Sequence, residues 1–265
     1  MPAAIEAGAE ATPTAPVAAA PAPAATSPLG RAAGGTGQVT VEPLSRSQQV
    51  VARRMQEAKS TVPEFTVSSE IDMGECVALR ARLKRMAAEG EPVPSYNDMV
   101  VKAAALALRD HPRVNGSFRE EGFALHERVN VGVAVAAGDG LLVPTVFDAD
   151  RLSLRDVAAR GRALIEAVRG GTIAPDDLAG GTFTVSNLGM FGVSDFTAVL
   201  NLPQAAILAV GALEQVPVVR DGALVPGHRL RLTLTCDHRI VYGADAARFL
   251  ARLRELLEEP LALLV

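Results

Sequence analysis

Apolar and polar positions change period several times along this chain. Between Ser45 and Ser60, Val50, Val51, Met55 and Ala58 share one helical face, with Arg53 and Arg54 beside it. From Pro63 to Asp72 the pattern alternates, as a half-buried strand does. Glu75 to Ala88 is an amphipathic helix closed by Gly90. Ser95 and Asp98 form a capping box that opens a helix through Leu108, stopped by His111-Pro112. That helix is apolar on all sides and is expected to be central and buried. Asn130 to Ala137 reads as a strand, turning at Gly138 to Gly140 into Leu141 to Val146. A second capping box, Ser153 and Asp156, opens a helix to about Arg169, closed by Gly170-Gly171.

The last third is richer in strands. Thr182 to Ser186 alternates and runs into a turn punctuated by Gly189 and Gly192. Ala205 to Gly211 is apolar, and Asp221-Gly222 marks a hairpin turn. Leu230 to Thr235 is a strand, and Ala244 begins a helix to about Glu258. The apolar tail Pro260 to Val265 is expected to dock onto a neighbouring subunit. Helices alternate with strands, long connections and antiparallel hairpins, so the expected class is α/β with a mixed sheet.

Composition narrows the picture. The first 38 residues are Ala, Pro, Gly and Thr with almost no charge and no period, which reads as a disordered linker. Residues 39–265 form the expected domain. Of the 265 residues 49% are hydrophobic, enough for a sizeable core. The net charge is −4 with no basic block, which argues against a nucleic-acid partner. No apolar run is long enough to span a membrane. Cys76 and Cys236 have no metal or redox spacing and are expected to be buried, reduced thiols, with no metal site. No Lys or Arg precedes Arg31 and no apolar h-region is present, so neither a secretory signal nor an Arg-rich transit peptide is read, and a cytoplasmic location is expected.

Chemistry concentrates in Cys236-Asp237-His238-Arg239-Ile240-Val241-Tyr242-Gly243, between the last strand and the last helix. A side chain at such a junction is held by a rigid scaffold. Histidine titrates near neutrality, so His238 is a candidate general base, although the local residues alone leave a structural histidine open.

This stretch resembles the active-site signature of the 2-oxo acid dehydrogenase acyltransferases, the E2 or dihydrolipoamide acetyltransferase family, which reads Asp-His-Arg-x-x-Asp-Gly. Asp237, His238, Arg239 and Gly243 match; Tyr242 stands where that signature has its second aspartate. The run from Gly180 to Gly192, with Thr184-Val185-Ser186-Asn187-Leu188-Gly189, resembles the family's second signature. Asn201 to Gly211, and the Pro43-Leu44-Ser45-Arg46 segment before an arginine-bearing helix, continue the likeness.

The resemblance implies a chloramphenicol-acetyltransferase-like two-layer fold over about residues 40 to 265. It implies homotrimers with the site at the subunit interface, which can build cubic or dodecahedral cores. The implied reaction moves an acyl group, acetyl by preference, between dihydrolipoamide and coenzyme A within a 2-oxo acid dehydrogenase complex, with pyruvate as the metabolic context. His238 would be the base and Ser186 the donor to the oxyanion, while Asn187 and Gly189 would line the coenzyme A channel. Lys59, Lys84 and Lys102 all lie in helical contexts, so the lipoyl group is expected from another domain or chain. The family's aspartate organises the loop through an arginine. Tyr242 would leave that arginine, Arg53 or Arg54, without its partner unless Asp245 substitutes. Two alternatives stand beside this reading. One is a catalytically impaired E2-like scaffold; the other is a related-fold acyltransferase with a free small-molecule acceptor, whose signature would place His, not Asp237, before His238.

Overall fold

A computed structural model describes residues 40–138 and 140–264. The expected linker at 1–38 lies outside the described residues. The larger compact unit is Leu44–Val265.

Among the described residues, five helices form where the pattern placed them. Helix α1 is Arg46–Thr61, α2 Gly74–Met86, α3 Tyr96–Asp110, α4 Leu154–Arg169 and α5 Gly243–Glu258. Serines cap α1, α3 and α4: the hydroxyls of Ser45, Ser95 and Ser153 accept from the backbone N–H of Gln48, Asp98 and Asp156, offsetting donors that a helix start leaves unpaired. Met99 through Leu108 are all buried, as expected of an all-round apolar helix. The run includes Lys102, whose ammonium donates to the carbonyls of Asp150 and Leu152. Burial pushes the pKa of Lys102 down.

Ten strands follow: β1 Glu64–Asp72, β2 Gly116–Arg119, β3 Gly122–Leu125, β4 Val131–Val133, β5 Val135–Ala137, β6 Gly140–Leu142, β7 Thr145–Val146, β8 Phe183–Asn187, β9 Ala206–Arg220 and β10 Ala223–Asp237. Six build one mixed sheet in the order β1-β10-β9-β8-β4-β7. β8 runs parallel to both β4 and β9; the other pairs are antiparallel. The β9–β10 hairpin turns at Asp221-Gly222, both with positive φ (51° and 80°), which matches the twist of the strands it joins.

The sheet has two different faces, because successive side chains point opposite ways. Phe183, Val185, Leu208, Leu232 and Leu234 join α2, α3 and α5 in the main core. Ile207 and Ala209 face the other way, into a small cluster with Val62, Ala198 and Leu200. Thr184 and Ser186, alternating with Phe183 and Val185, share that second face.

Four details differ from the sequence pattern or add to it. The strand expected at 130–137 divides: the Ala134 N–H is the last to donate to β8, at Val185, and beyond it β5 pairs with its own return strand, β6. The β2–β3 hairpin was not anticipated. The apolar face of α1 is largely uncovered, with only Ala58 buried and Val50 and Val51 exposed. In the tail, Leu263 and Pro260 are buried in this chain's own core, leaving Leu261 and Leu264 exposed.

Candidate active site

The turn after β10 is fastened before it presents anything. The Asp237 carboxylate is buried and accepts from Arg239 three ways: its backbone N–H at 2.9 Å, Nε at 2.9 Å and Nη2 at 2.7 Å. That carboxylate holds the Arg239 guanidinium above its ordinary pKa. Arg239 also lies over the Phe118 ring, 4.3 Å from its centroid. Ile240 and Val241 are fully buried and donate their N–H groups to the Asp237 carbonyl. The next backbone donor, His238 N–H, reaches the Pro63 carbonyl at 3.0 Å. Only the His238 side chain is left facing outward. Its ring sits 4.4 Å from that of Phe65 and 5.9 Å from that of Tyr242.

Ser186 lies near the end of β8, half-buried, opposite Ala209 of β9. Asn187 folds the turn beyond it: its Oδ1 accepts from the Gly189 N–H at 2.8 Å and its Nδ2 donates to Asn97 at 2.9 Å. Gly189 packs directly on the backbone of Gly211, where any Cβ would collide with the carbonyl. Both residues therefore shape the turn that carries Ser186.

The structure does not bring Ser186 and His238 together in one chain. Ser186, Ala209, Thr233 and Ser68 form one row across four strands. His238 lies further along β10, just past Asp237, and β9 separates β10 from β8. At about 3.4 Å per residue and 4.8 Å per strand, their α-carbons are about 20 Å apart. Side chains of this size cannot span that gap.

Tyr242 is half exposed and precedes α5. The arginine beside it is Arg113, not Arg53 or Arg54: its guanidinium lies 5.5 Å from the Tyr242 ring centroid and 3.6 Å from Asp245. Arg53 and Arg54 are exposed on α1. Asp245 takes the part expected of a substitute carboxylate, one helical turn on, and also accepts from the Tyr242 N–H at 3.3 Å. Sequence reasoning missed Phe65, Arg113 and Phe118, because long-range packing places them at the turn and no local motif marks them. Arg80 donates to the Pro94 carbonyl and covers Tyr96, while Arg82 and Arg85 are exposed.

Residues 36–265 match the profile of the 2-oxoacid dehydrogenases acyltransferase catalytic domain. The chain belongs to that family. Among acyltransferase relatives, the dihydrolipoyllysine-residue acetyltransferase component of the pyruvate dehydrogenase complex of Rhizobium meliloti is 40% identical over 233 residues, 86% of this chain and 52% of that protein. The corresponding mitochondrial component of Schizosaccharomyces pombe is 37% identical, over 84% of this chain and 47% of that protein. The chain thus spans about half the length of these curated relatives. The dihydrolipoamide acetyltransferase structure of Azotobacter vinelandii superposes with a TM-score of 0.82 at 33% identity, covering 87% of this chain and 96% of that one. The cubic core of a pyruvate dehydrogenase multienzyme complex gives 0.82 at 34% identity, covering 86% and 95%. These acyltransferase cores share the α/β architecture and mixed sheet described above.

Proposed function

We propose that this chain is the acyltransferase core of a 2-oxo acid dehydrogenase complex and moves an acyl group, acetyl, between dihydrolipoamide and coenzyme A. One observation carries the reading. The Azotobacter vinelandii structure concerns the roles of a serine, a histidine and an asparagine in that enzyme's catalytic mechanism. Its serine and histidine stand at the same sequence spacing as Ser186 and His238, and its asparagine at the position of Tyr242.

The chemistry follows from pKa values. A free thiol near 8.5 is mostly protonated at neutral pH, and the thiolate is the nucleophile. His238 accepts the thiol proton as the thiol attacks the thioester carbonyl. The Ser186 hydroxyl donates to the oxyanion of the tetrahedral intermediate. Collapse expels the other thiolate, which recovers the proton from His238. Transfer is direct, with no acyl-enzyme, and the lipoyl group comes from another domain or chain. Asn187 and Gly189 hold the strand end on which Ser186 faces the incoming coenzyme A.

A base and an oxyanion donor about 20 Å apart in one chain support a site completed by a second copy, within a trimer that can join a cubic or larger core. The uncovered apolar side chains of Val50 and Val51 on α1, and of Met190 and Phe191 beside the Ser186 turn, support the same arrangement. A groove of about 300 Å³ between Leu83, Met86, Pro94 and Leu264 is suited to contact between such trimers.

Steady-state transfer from acetyl-CoA to dihydrolipoamide tests the proposal. The wild type should turn over, His238→Ala should be inactive, and Ser186→Ala should lose about 10²–10³-fold in kcat. An intact assembly no faster than His238→Ala would leave a scaffold instead.

A further inference from the structure

Tyr242 stands where the signature has an aspartate, and its surroundings give it a task. Six side chains from several parts of the chain, its own among them, gather here. Phe65 of β1 touches His238, and His238 touches Tyr242, at 4.4 and 5.9 Å between ring centroids. Arg113, from the connection after α3, lies 5.5 Å from the centroid of Tyr242 and 5.5 Å from that of Phe123 on β3. Asp245 holds Arg113 from the first turn of α5 at 3.6 Å and accepts from the Tyr242 backbone at 3.3 Å.

The charge at Arg113 therefore already has its carboxylate, and a second at position 242 is not needed to balance it. What position 242 contributes is a ring. A guanidinium over one aromatic ring, and a second aromatic ring against an imidazole, are attractive arrangements with preferred geometry. The backbone of His238 is fixed by the turn, but its imidazole projects outward with no side-chain hydrogen bond among the described residues. An imidazole held only by its own torsions would sample several rotamers. A general base must meet its proton at about 2.6–3.2 Å.

We infer that Tyr242 is a positioning residue: its ring, anchored by Arg113, joins Phe65 in holding the His238 imidazole in its working orientation, in place of the charge pair that an aspartate would make. The inference deepens the transferase reading and rests on it. It assigns the work to the ring and not to the phenol hydroxyl.

The test compares Tyr242→Leu, Tyr242→Phe and Arg113→Met in the assembled protein, by acetyl transfer and by cryo-electron microscopy. Tyr242→Leu should lower kcat about 3- to 10-fold, the worth of one aromatic pair, with KM for coenzyme A unchanged. Tyr242→Phe should restore most of that loss, and Arg113→Met should fall between. If Tyr242→Phe is as slow as Tyr242→Leu, the hydroxyl acts and the inference is overturned. It is also overturned if Tyr242→Leu matches wild type, or if the loss appears in KM. Wild type no faster than His238→Ala would end the transferase reading itself. The maps still decide the clamp: one imidazole orientation in wild type and several in Tyr242→Leu is the expected result, and identical density in both refutes it.

Discussion

Two inactive variants should restore one another. The row geometry puts Ser186 and His238 about 20 Å apart within a chain, so the proposed transferase would take the histidine of each site from one copy and the serine from the next. His238→Ala subunits keep an intact Ser186, and Ser186→Ala subunits keep an intact His238. When the two are co-expressed in equal amounts and mix at random, an intact pair needs the right variant at both of two neighbouring positions. That occurs at about one quarter of the sites in any closed ring. Carrying a different affinity tag on each variant and selecting single trimers that hold both raises the figure to about one third, because one of the three junctions in a mixed trimer is intact. The assay is acetyl transfer per subunit, against each variant alone and against the two combined after separate assembly. The variants alone set a background near 10⁻² of wild type or below. Recovery no greater than that background, from particles shown to contain both tags, would mean that one chain holds the whole site and that the sheet-register argument is wrong.

Other expectations are simpler to check. Burial pushes the Cys76 and Cys236 thiols up to about 12, and the Cys76 thiol donates to the Leu257 carbonyl; neither should react with a thiol-specific dye at pH 8 until denaturant is added, when both should. His111 and His126 are held below their ordinary value of 6.5, chiefly by burial. The unfolded chain takes up protons near that pH while the folded one does not, so stability present above about pH 6.5 is lost as pH falls below it. The urea midpoint should drop between pH 7 and 5, and less steeply in His126→Gln. In Gly189→Ala the new methyl meets the Gly211 backbone; transfer should fall at least 10-fold, as a misplaced Ser186 turn predicts, while the far-ultraviolet spectrum stays native. Wild-type activity in that variant would show that the turn does not position the serine.

Local signals were legible and long-range ones were not. Ser45, Ser95 and Ser153 each begin a helix at the following residue, because a cap acts over three positions. Asp221-Gly222 specifies its own turn. His238 and Ser186 stand out because their flanking residues match signatures. Strand register is another matter. Nothing in Pro63-Glu64-Phe65 says that Phe65 will lie opposite Cys236 and so beside His238. Nor does His111-Pro112-Arg113 reveal that Arg113 will cover Tyr242. The β2–β3 hairpin was missed because its strands are four residues each and joined by a charged turn. In the apolar tail, local sequence does not separate Leu263, which this chain's own core covers, from Leu261 and Leu264, which stay exposed.

The two halves of the site and the uncovered surface have one cause. The row from Ser68 to Ser186 is hydrogen-bonded across four strands, and the His238 turn is pinned by Asp237, Arg239 and Pro63. No hinge within such a sheet closes a gap of about 20 Å, so under the proposed roles His238 and Ser186 would meet through association of two copies. Leu44, Val50, Val51, Met190 and Phe191 leave between 39% and 74% of their surface exposed. Covering what remains of each would contribute on the order of 1 kcal/mol or more. Each junction of a closed ring covers one such set, about 5 kcal/mol or more in sum, which reaches the lower part of the roughly 4–15 kcal/mol lost when two bodies associate. Met190 and Phe191 lie on the same turn as Ser186, and half-exposed Tyr242 lies against His238. Apolar groups beside each half thus favour the association that places a serine from one copy before a histidine from another, so that assembly and activity are expected to rise and fall together.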